Sequence, residues 1–159
     1  MQLRIVTVDE VQFLTSVLHR VWGTNNPRRF KRWKLGDYVV FVVDRRVAGL
    51  AQIVAEPFVS SDPVWDNGVF PNRIRIQFVC IALPENRLSV YPRVQEVLWS
   101  ANTHYGWAVF TQHEITGDAA QKIVEIVLST PNQLEVVQQG LDRLLEEARK
   151  ERGRKQASD

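Results

Sequence analysis

Residues 38–58 read YVVFVVDRRVAGLAQIVAEPF. Two runs rich in β-branched and apolar residues flank the polar triplet Asp44-Arg45-Arg46, the pattern of an antiparallel strand pair with a tight connection. Gly49 stands alone in the second run, and no glycine-rich phosphate loop accompanies it. The reading of the rest of the chain builds on this hairpin.

On the N-terminal side, LRIVTV (3–8) is a short β-rich segment, and DEVQFLTSVLHRVW (9–22) carries Val11, Leu14, Leu18 and Val21 at three- and four-residue steps. That period predicts an amphipathic helix ending at Trp22, started by a capping box from Asp9 with Gln12 or from Thr7 with Glu10. GTNNPRRFKRWKLGD (23–37) reads as turn-rich and then basic. On the C-terminal side, VSSDPVWDNGVFPN (59–72) is too rich in turn formers for a regular element, yet it holds an aromatic. RIRIQFVCIALP (73–84) is a further strand with Ile74, Ile76, Phe78 and Cys80 on one face and Arg73 and Arg75 on the outer one. Helical segments follow around Val94, Val97 and Leu98 and over TGDAAQKIVEIVL (116–128).

From Thr130 the composition changes. Thr130, Pro131 and Gln133 form a helix-start signal, and Leu134, Val137, Leu141, Leu144 and Ala148 step by three and four. The expected organisation is one domain over 1–129 and an amphipathic helix with a frayed tail or linker over 130–159.

The chain has 159 residues, of which 45% are hydrophobic, enough for one self-supporting core. A net charge of +2 leaves room only for a local basic patch. Cys80 is the single cysteine, so no internal disulfide can form. No signal-like N-terminus and no bilayer-length apolar run is present, which points to a reduced, cytoplasmic setting without membrane association.

His19, His104 and His113 are far apart in sequence, and no metal-ligand spacing or nucleophile elbow is available. His113 and Glu114, adjacent in an extended segment, point to opposite faces. The expectation is a non-enzyme without metal or cofactor. What remains are aromatic and basic residues in loops. Arg28, Arg29, Lys31, Arg32 and Lys34 suit phosphate contacts or a solvated face. Trp22 and Trp33 suit a core. Trp65 stands in a polar loop, where its ring needs something to pack on.

The ordered blocks HRVWGTNN, FKRWKLGDYVVFVV, VAGLAQIVAEPFVSSDPVW, FPNRIRIQFV and WAVFTQHEITGDAAQKIVEIV resemble the EVE domain, a branch of the PUA-like group similar to YTH domains, from Leu3 to about Leu128. The resemblance implies the α+β class, with a PUA-like, strongly curved mixed β-barrel and flanking helices. It also implies a reader that flips a modified, methylated base into an aromatic pocket, as YTH domains hold N6-methyladenine. DNA is the implied polymer ahead of RNA, and some such domains recognise DNA for modification-dependent restriction systems, fused to a motor. Carried over, the base-binding positions are Trp22, Gly23, Thr24, Trp65 and Phe70, with Asp9 and Gln12 either gripping the base or capping the helix. A base sandwiched between Trp22 and Trp65 is the implied geometry. Gln112 and His113, with Thr111, join the basic cluster as backbone-facing candidates. An RNA-binding PUA-like module, a small ASCH-like nucleoside hydrolase and an assembly module built on the C-terminal helix remain alternatives at this point.

Overall fold

The computed structural model describes residues 2–101 and 114–158. Strand β1 (Gln2–Thr7) leads to α1 (Glu10–His19), β2 (Val21–Thr24), α2 (Pro27–Arg32), β3 (Tyr38–Val43), β4 (Arg46–Ile53), β5 (Phe58–Val59) and β6 (Asn72–Ile81). Then come β7 (Leu88–Ser89), α3 (Arg93–Ala101), β8 (Ile115–Thr116), α4 (Gly117–Leu128), α5 (Leu134–Gln139) and α6 (Leu141–Ser158).

The expected hairpin is β3–β4, and Asp44 and Arg45 form its turn with φ of 50° and 63°. Two left-handed residues give the turn whose twist matches that of its strands. The sheet order is β2-β6-β4-β3-β1-β8, with β5 added to β6 and β7 to β4; β1 lies parallel to β3 and the other pairs are antiparallel. Register shifts between Phe41 and Val42 and between Leu50 and Ala51 add twist. The result is an α+β fold, a strongly curled half-barrel with helices on both sides.

Alternation along β3 sends Val39, Phe41 and Val43 to the core shared with α1, and Val40 and Val42 to the core shared with α3 and α4. Gly49 explains itself here: a Cβ would lie 3.2 Å from the Phe13 ring and 3.1 Å from the Cys80 carbonyl oxygen, so α1 rests on bare backbone. Cys80 is buried, and burial pushes its thiol pKa up against the opposing hydrogen bond with Thr130. It stays protonated and unreactive.

Three local expectations need correction. Helix α1 stops before Trp22, because Arg20 turns left-handed at φ 54° and its N–H bonds Ser16 O; Val21 and Trp22 therefore belong to β2. The buried face of α1 is Val11, Phe13, Leu14 and Val17, and Leu18 is exposed. Arg73 is buried, because the 60–71 loop folds over the outer face of β6 at that point.

The C-terminal segment is tied to β6 before it becomes helical. Asn132 Oδ1 accepts from Ile81 N–H at 3.2 Å, and Gln133 N–H donates to Ile81 O at 2.7 Å. Those residues are used against the strand, so the helix begins at Leu134. Val137, Leu141, Leu145 and Ala148 enter the same core as α1, and the helix continues through the expected tail to Ser158. No described helix is long and apolar enough to cross a membrane.

Candidate nucleic-acid interface

Strand β2 is the outermost strand on its side of the sheet. In an antiparallel ladder, alternate residues turn their N–H and C=O away from the partner. The bond from Ile76 N–H to Arg20 O sets the phase. Trp22 and Thr24 therefore pair with β6, while Gly23 presents its backbone groups off the edge.

The loop 60–71 closes onto this strand. A Cβ on Gly23 would lie 2.6 Å from Phe70 O and 2.9 Å from two Trp65 ring atoms, so only glycine admits the loop. Phe70 adopts φ 47°, unusual for a bulky residue and set before Pro71. Arg73 holds that conformation from beneath: Nε donates to Phe70 O at 3.2 Å, and Nη2 to Val69 O at 2.9 Å and to Asp62 O.

Between these parts lies an open hollow of about 590 Å³, within the ~300–1,000 Å³ of small-ligand sites. Its floor is Trp22, Gly23 and Thr24, with Phe70 and Gln12 on its sides; Thr7, Asn25, Asn26, Pro27 and Arg29 complete the rim. Five of the seven residues expected at a base pocket thus share one hollow. Trp22 contributes little of its ring, being 8% exposed, and Phe70 is half-buried.

The other two do not line it. Trp65 is buried, donates its indole N–H to Ser16 Oγ at 3.3 Å, and packs edge-on against Trp22 with ring centroids 6.1 Å apart and planes at 76°. Phe70 at 5.6 Å and the Arg73 guanidinium at 5.4 Å complete its surroundings. Two indoles in edge-to-face contact leave no slot between them, so the Trp22–Trp65 sandwich is replaced by an arrangement in which Trp65 backs the wall that Trp22 and Phe70 form. The polar loop hides this because a tight Trp65–Gly68 bridge returns the ring inward.

Asp9 caps α1, accepting from Gln12 N–H at 2.8 Å while Gln12 Oε1 accepts from Asp9 N–H at 3.0 Å. Its carboxylate is also paired with Arg152 at 2.8 Å. Asp9 is thus committed to structure, whereas Gln12, whose Oε1 closes the cap, also lines the hollow.

Arg28, Arg29, Lys31 and Arg32 of the basic cluster lie on α2, a helix where the sequence reading has only a loop, and Lys34 follows its C-cap Trp33. Asn26 Oδ1 accepts from Arg28 N–H at 3.0 Å and Arg29 N–H at 3.2 Å, and Pro27 occupies the first helical position. Asn-Pro ahead of a short polar run is a helix-start signal that could have revealed it. Arg28, Lys31, Arg32 and Lys34 are exposed and Arg29 borders the hollow. Arg32 faces Glu114 at 3.9 Å, which partly offsets its charge.

The end of α2 is anchored by Arg4, buried at 2% exposure, which donates to Arg32 O at 2.9 Å and pairs with Glu114 at 3.2 Å and Asp37 at 3.5 Å. Burial lowers the Arg4 pKa, against the raising influence of those two carboxylates. An arginine inside an apolar strand gave no sign of this role. Thr111, Gln112 and His113 lie outside the described residues.

No carboxylate, thiol or imidazole occurs among the described residues that line the hollow. Among the described residues no group of three or more His, Cys, Asp and Glu could hold a metal ion. Chemically the hollow offers an aromatic surface, amide and hydroxyl groups, the strand-edge backbone of Gly23 and the guanidinium of Arg29. Trp22 Nε1 is buried without a hydrogen-bond partner among the described residues, but Trp33 Nε1 in the core is too, so this feature does not single out the hollow.

The sequence matches no protein-family model and no curated protein. Solved structures do match, YTH domains among them. The YTH domain-containing protein Mmi1 in complex with RNA superposes with a TM-score of 0.61 at 17% identity, over 79% of this chain and 80% of that one. The YTH domain of Zygosaccharomyces rouxii MRB1 protein, in complex with N6-methyladenosine RNA, gives 0.61 at 15% identity over 84% and 90%. The Pho92 YTH domain in complex with m6A gives 0.57 at 14% over 79% and 82%. At these identities the likeness is one of fold.

Proposed function

We propose that this chain is a nucleic-acid reader that takes a modified base, turned out of its stack, into the hollow beside β2. One observation carries the reading: Trp22, Gly23, Thr24, Gln12 and Phe70, drawn from three separated segments, line one hollow bordered by a cationic helix. Support also comes from the fold, shared with YTH domains solved on RNA and on N6-methyladenosine RNA.

Unstacking a base costs a few kcal/mol. Stacking on aromatic side chains returns about 1–3 kcal/mol per base. With Trp65 behind the wall, that return falls to Phe70 and the accessible part of Trp22. The Gly23 backbone and the Gln12 amide supply polar contacts to the base edge. A buried methyl contributes about 0.8 kcal/mol, roughly a fourfold preference. Stronger discrimination requires a polar edge contact that the unmodified base leaves unmet. Phosphates on either side meet Arg28, Arg29, Lys31 and Lys34.

The finer reading, an EVE domain acting on methylated DNA as the recognition module of a modification-dependent restriction system, rests on the sequence resemblance. The test is an array of single- and double-stranded DNA and RNA oligonucleotides, each with and without base methylation. Phe70→Ala, whose ring also packs on buried Trp65, and Gln12→Ala are compared with Trp22→Phe, each after its unfolding transition is matched to that of the unaltered chain. Loss of preference for one methylated probe is expected in Phe70→Ala, with affinity down about tenfold, as for the removal of roughly one stacking partner. If all three variants bind every probe as the unaltered chain does, the base-binding reading fails.

A further inference from the structure

The hollow is held from a distance. Arg152, near the end of α6, donates from Nη1 to both oxygens of Asp66, at 2.8 and 2.9 Å, and from Nη2 to both oxygens of Asp9, at 2.9 and 2.8 Å. Asp66 follows Trp65 in the aromatic loop, and Asp9 is the cap bonded to Gln12. One guanidinium therefore joins the start of α1, the 60–71 loop and α6, segments 86 and 143 residues from Arg152 in sequence.

We propose that Arg152 is a positioning residue that sets the shape of the hollow by clamping the aromatic loop against the cap of α1. This rests on the hollow being the base-binding site. A lone exposed ion pair contributes little, because ordering two side chains cancels most of the attraction. Here the geometry differs. Each terminal nitrogen meets a different carboxylate, so one guanidinium spans two partners, which its rigid planar array of donors allows and a single ammonium does not.

Arg152 itself is only 22% exposed, although its partners are about half exposed. Both terminal nitrogens are engaged, so Arg152 is a brace and not a phosphate contact. Beneath the same loop, Arg73 holds the carbonyls of Asp62, Val69 and Phe70. The loop that carries Phe70 is thus fixed from below by a buried guanidinium and from outside by one supplied by the C-terminal helix. A hollow whose walls are braced before the ligand arrives loses less freedom on binding.

The test uses the full chain with Arg152→Gln, Arg152→Lys and the exchanged pair Arg152→Asp with Asp66→Arg. Amide hydrogen exchange over 60–71 is read alongside titration with a single-stranded oligonucleotide carrying N6-methyladenine. Arg152→Gln is expected to speed exchange across the loop while β3 and β4 stay protected, and to weaken binding about three- to tenfold, the range of coupling through a packed network. Lysine, a point charge without the fork, recovers part of the loss. The exchanged pair recovers more than either reversal alone.

Exchange changes confined to 141–158, or an exchanged pair no better than its single reversals, overturn the proposal. If the unaltered chain binds no probe, the reading of the hollow falls, and the exchange measurement still decides whether Arg152 clamps the loop.

Discussion

A single methyl group tests how the aromatic loop sits on β2. In Gly23→Ala the new Cβ meets a backbone oxygen at 2.6 Å and a rigid indole at 2.9 Å, neither of which can yield by rotating a flexible tip. Overpacking of this kind costs about 1–3 kcal/mol. The expected outcome is a lower denaturant midpoint with an unchanged slope, together with weaker oligonucleotide binding as Phe70 is displaced. Gly153→Ala is the matched control: nothing lies within 4 Å of its Cβ, and it sits inside α6. There alanine is expected to stabilise by up to about 1 kcal/mol. The opposite signs separate contact from conformational freedom. At this scale the sequence exposes chemistry more readily than placement. Trp65 stands among Asp, Asn, Gly and Pro, and nothing local says that its ring turns back under Phe70 to meet Ser16, 49 residues earlier. Trp22 illustrates the converse: its membership of the hollow follows from a resemblance spanning many residues, while its periodicity wrongly extends α1.

Helix α2 carries the electrostatics of the interface. Its position relative to the hollow is fixed at one end by the Asn26 cap and at the other by Arg4 beneath Arg32. Removing one side chain that touches phosphate should flatten the dependence of log affinity on log salt by about 0.7 for a single strand or 0.9 for a duplex. In the combined variant Arg28→Ala, Lys31→Ala and Lys34→Ala, methylated and unmodified probes are expected to weaken alike, with the slope reduced by roughly 2 to 3 if all three residues touch phosphate. Titrations at several salt concentrations check this. An unchanged slope would remove α2 from the nucleic-acid path while leaving the hollow intact. Arg32 is left out because Glu114 already faces it. The longer strands β1, β3, β4 and β6 and the longer helices are legible because burial imposes a strong period on them, whereas the four-residue β2 is read as the end of α1. A six-residue helix such as α2 has no period to read, only its cap, and Asn-Pro serves turns equally well.

Across the whole molecule, the question is whether the C-terminal helices are an appendage or part of the body. The sequence shows an apolar stripe and a change in composition; the stripe is too short for a coiled-coil seam and favours a surface helix of the domain, with a frayed end or linker after it. Packing makes the segment part of the body: Val137, Leu141, Leu145 and Ala148 are buried in the core that contains Phe13, Leu14 and Trp22, and Asn132 and Gln133 bind the edge of β6. Truncating buried Leu-sized side chains costs about 2–5 kcal/mol each. Removing several at once consumes a stability that totals about 5–15 kcal/mol in ordinary domains. A chain ended after Ser129 is therefore expected to lose cooperative unfolding and near-ultraviolet dichroism and to bind no oligonucleotide. A truncated chain that melts sharply and retains binding would show that 130–158 is dispensable, and Arg152 could then not brace the hollow. Association through this segment is better probed by charge reversal on the exposed face of α6, at Arg143, Glu147 and Lys150, because those side chains leave the core untouched.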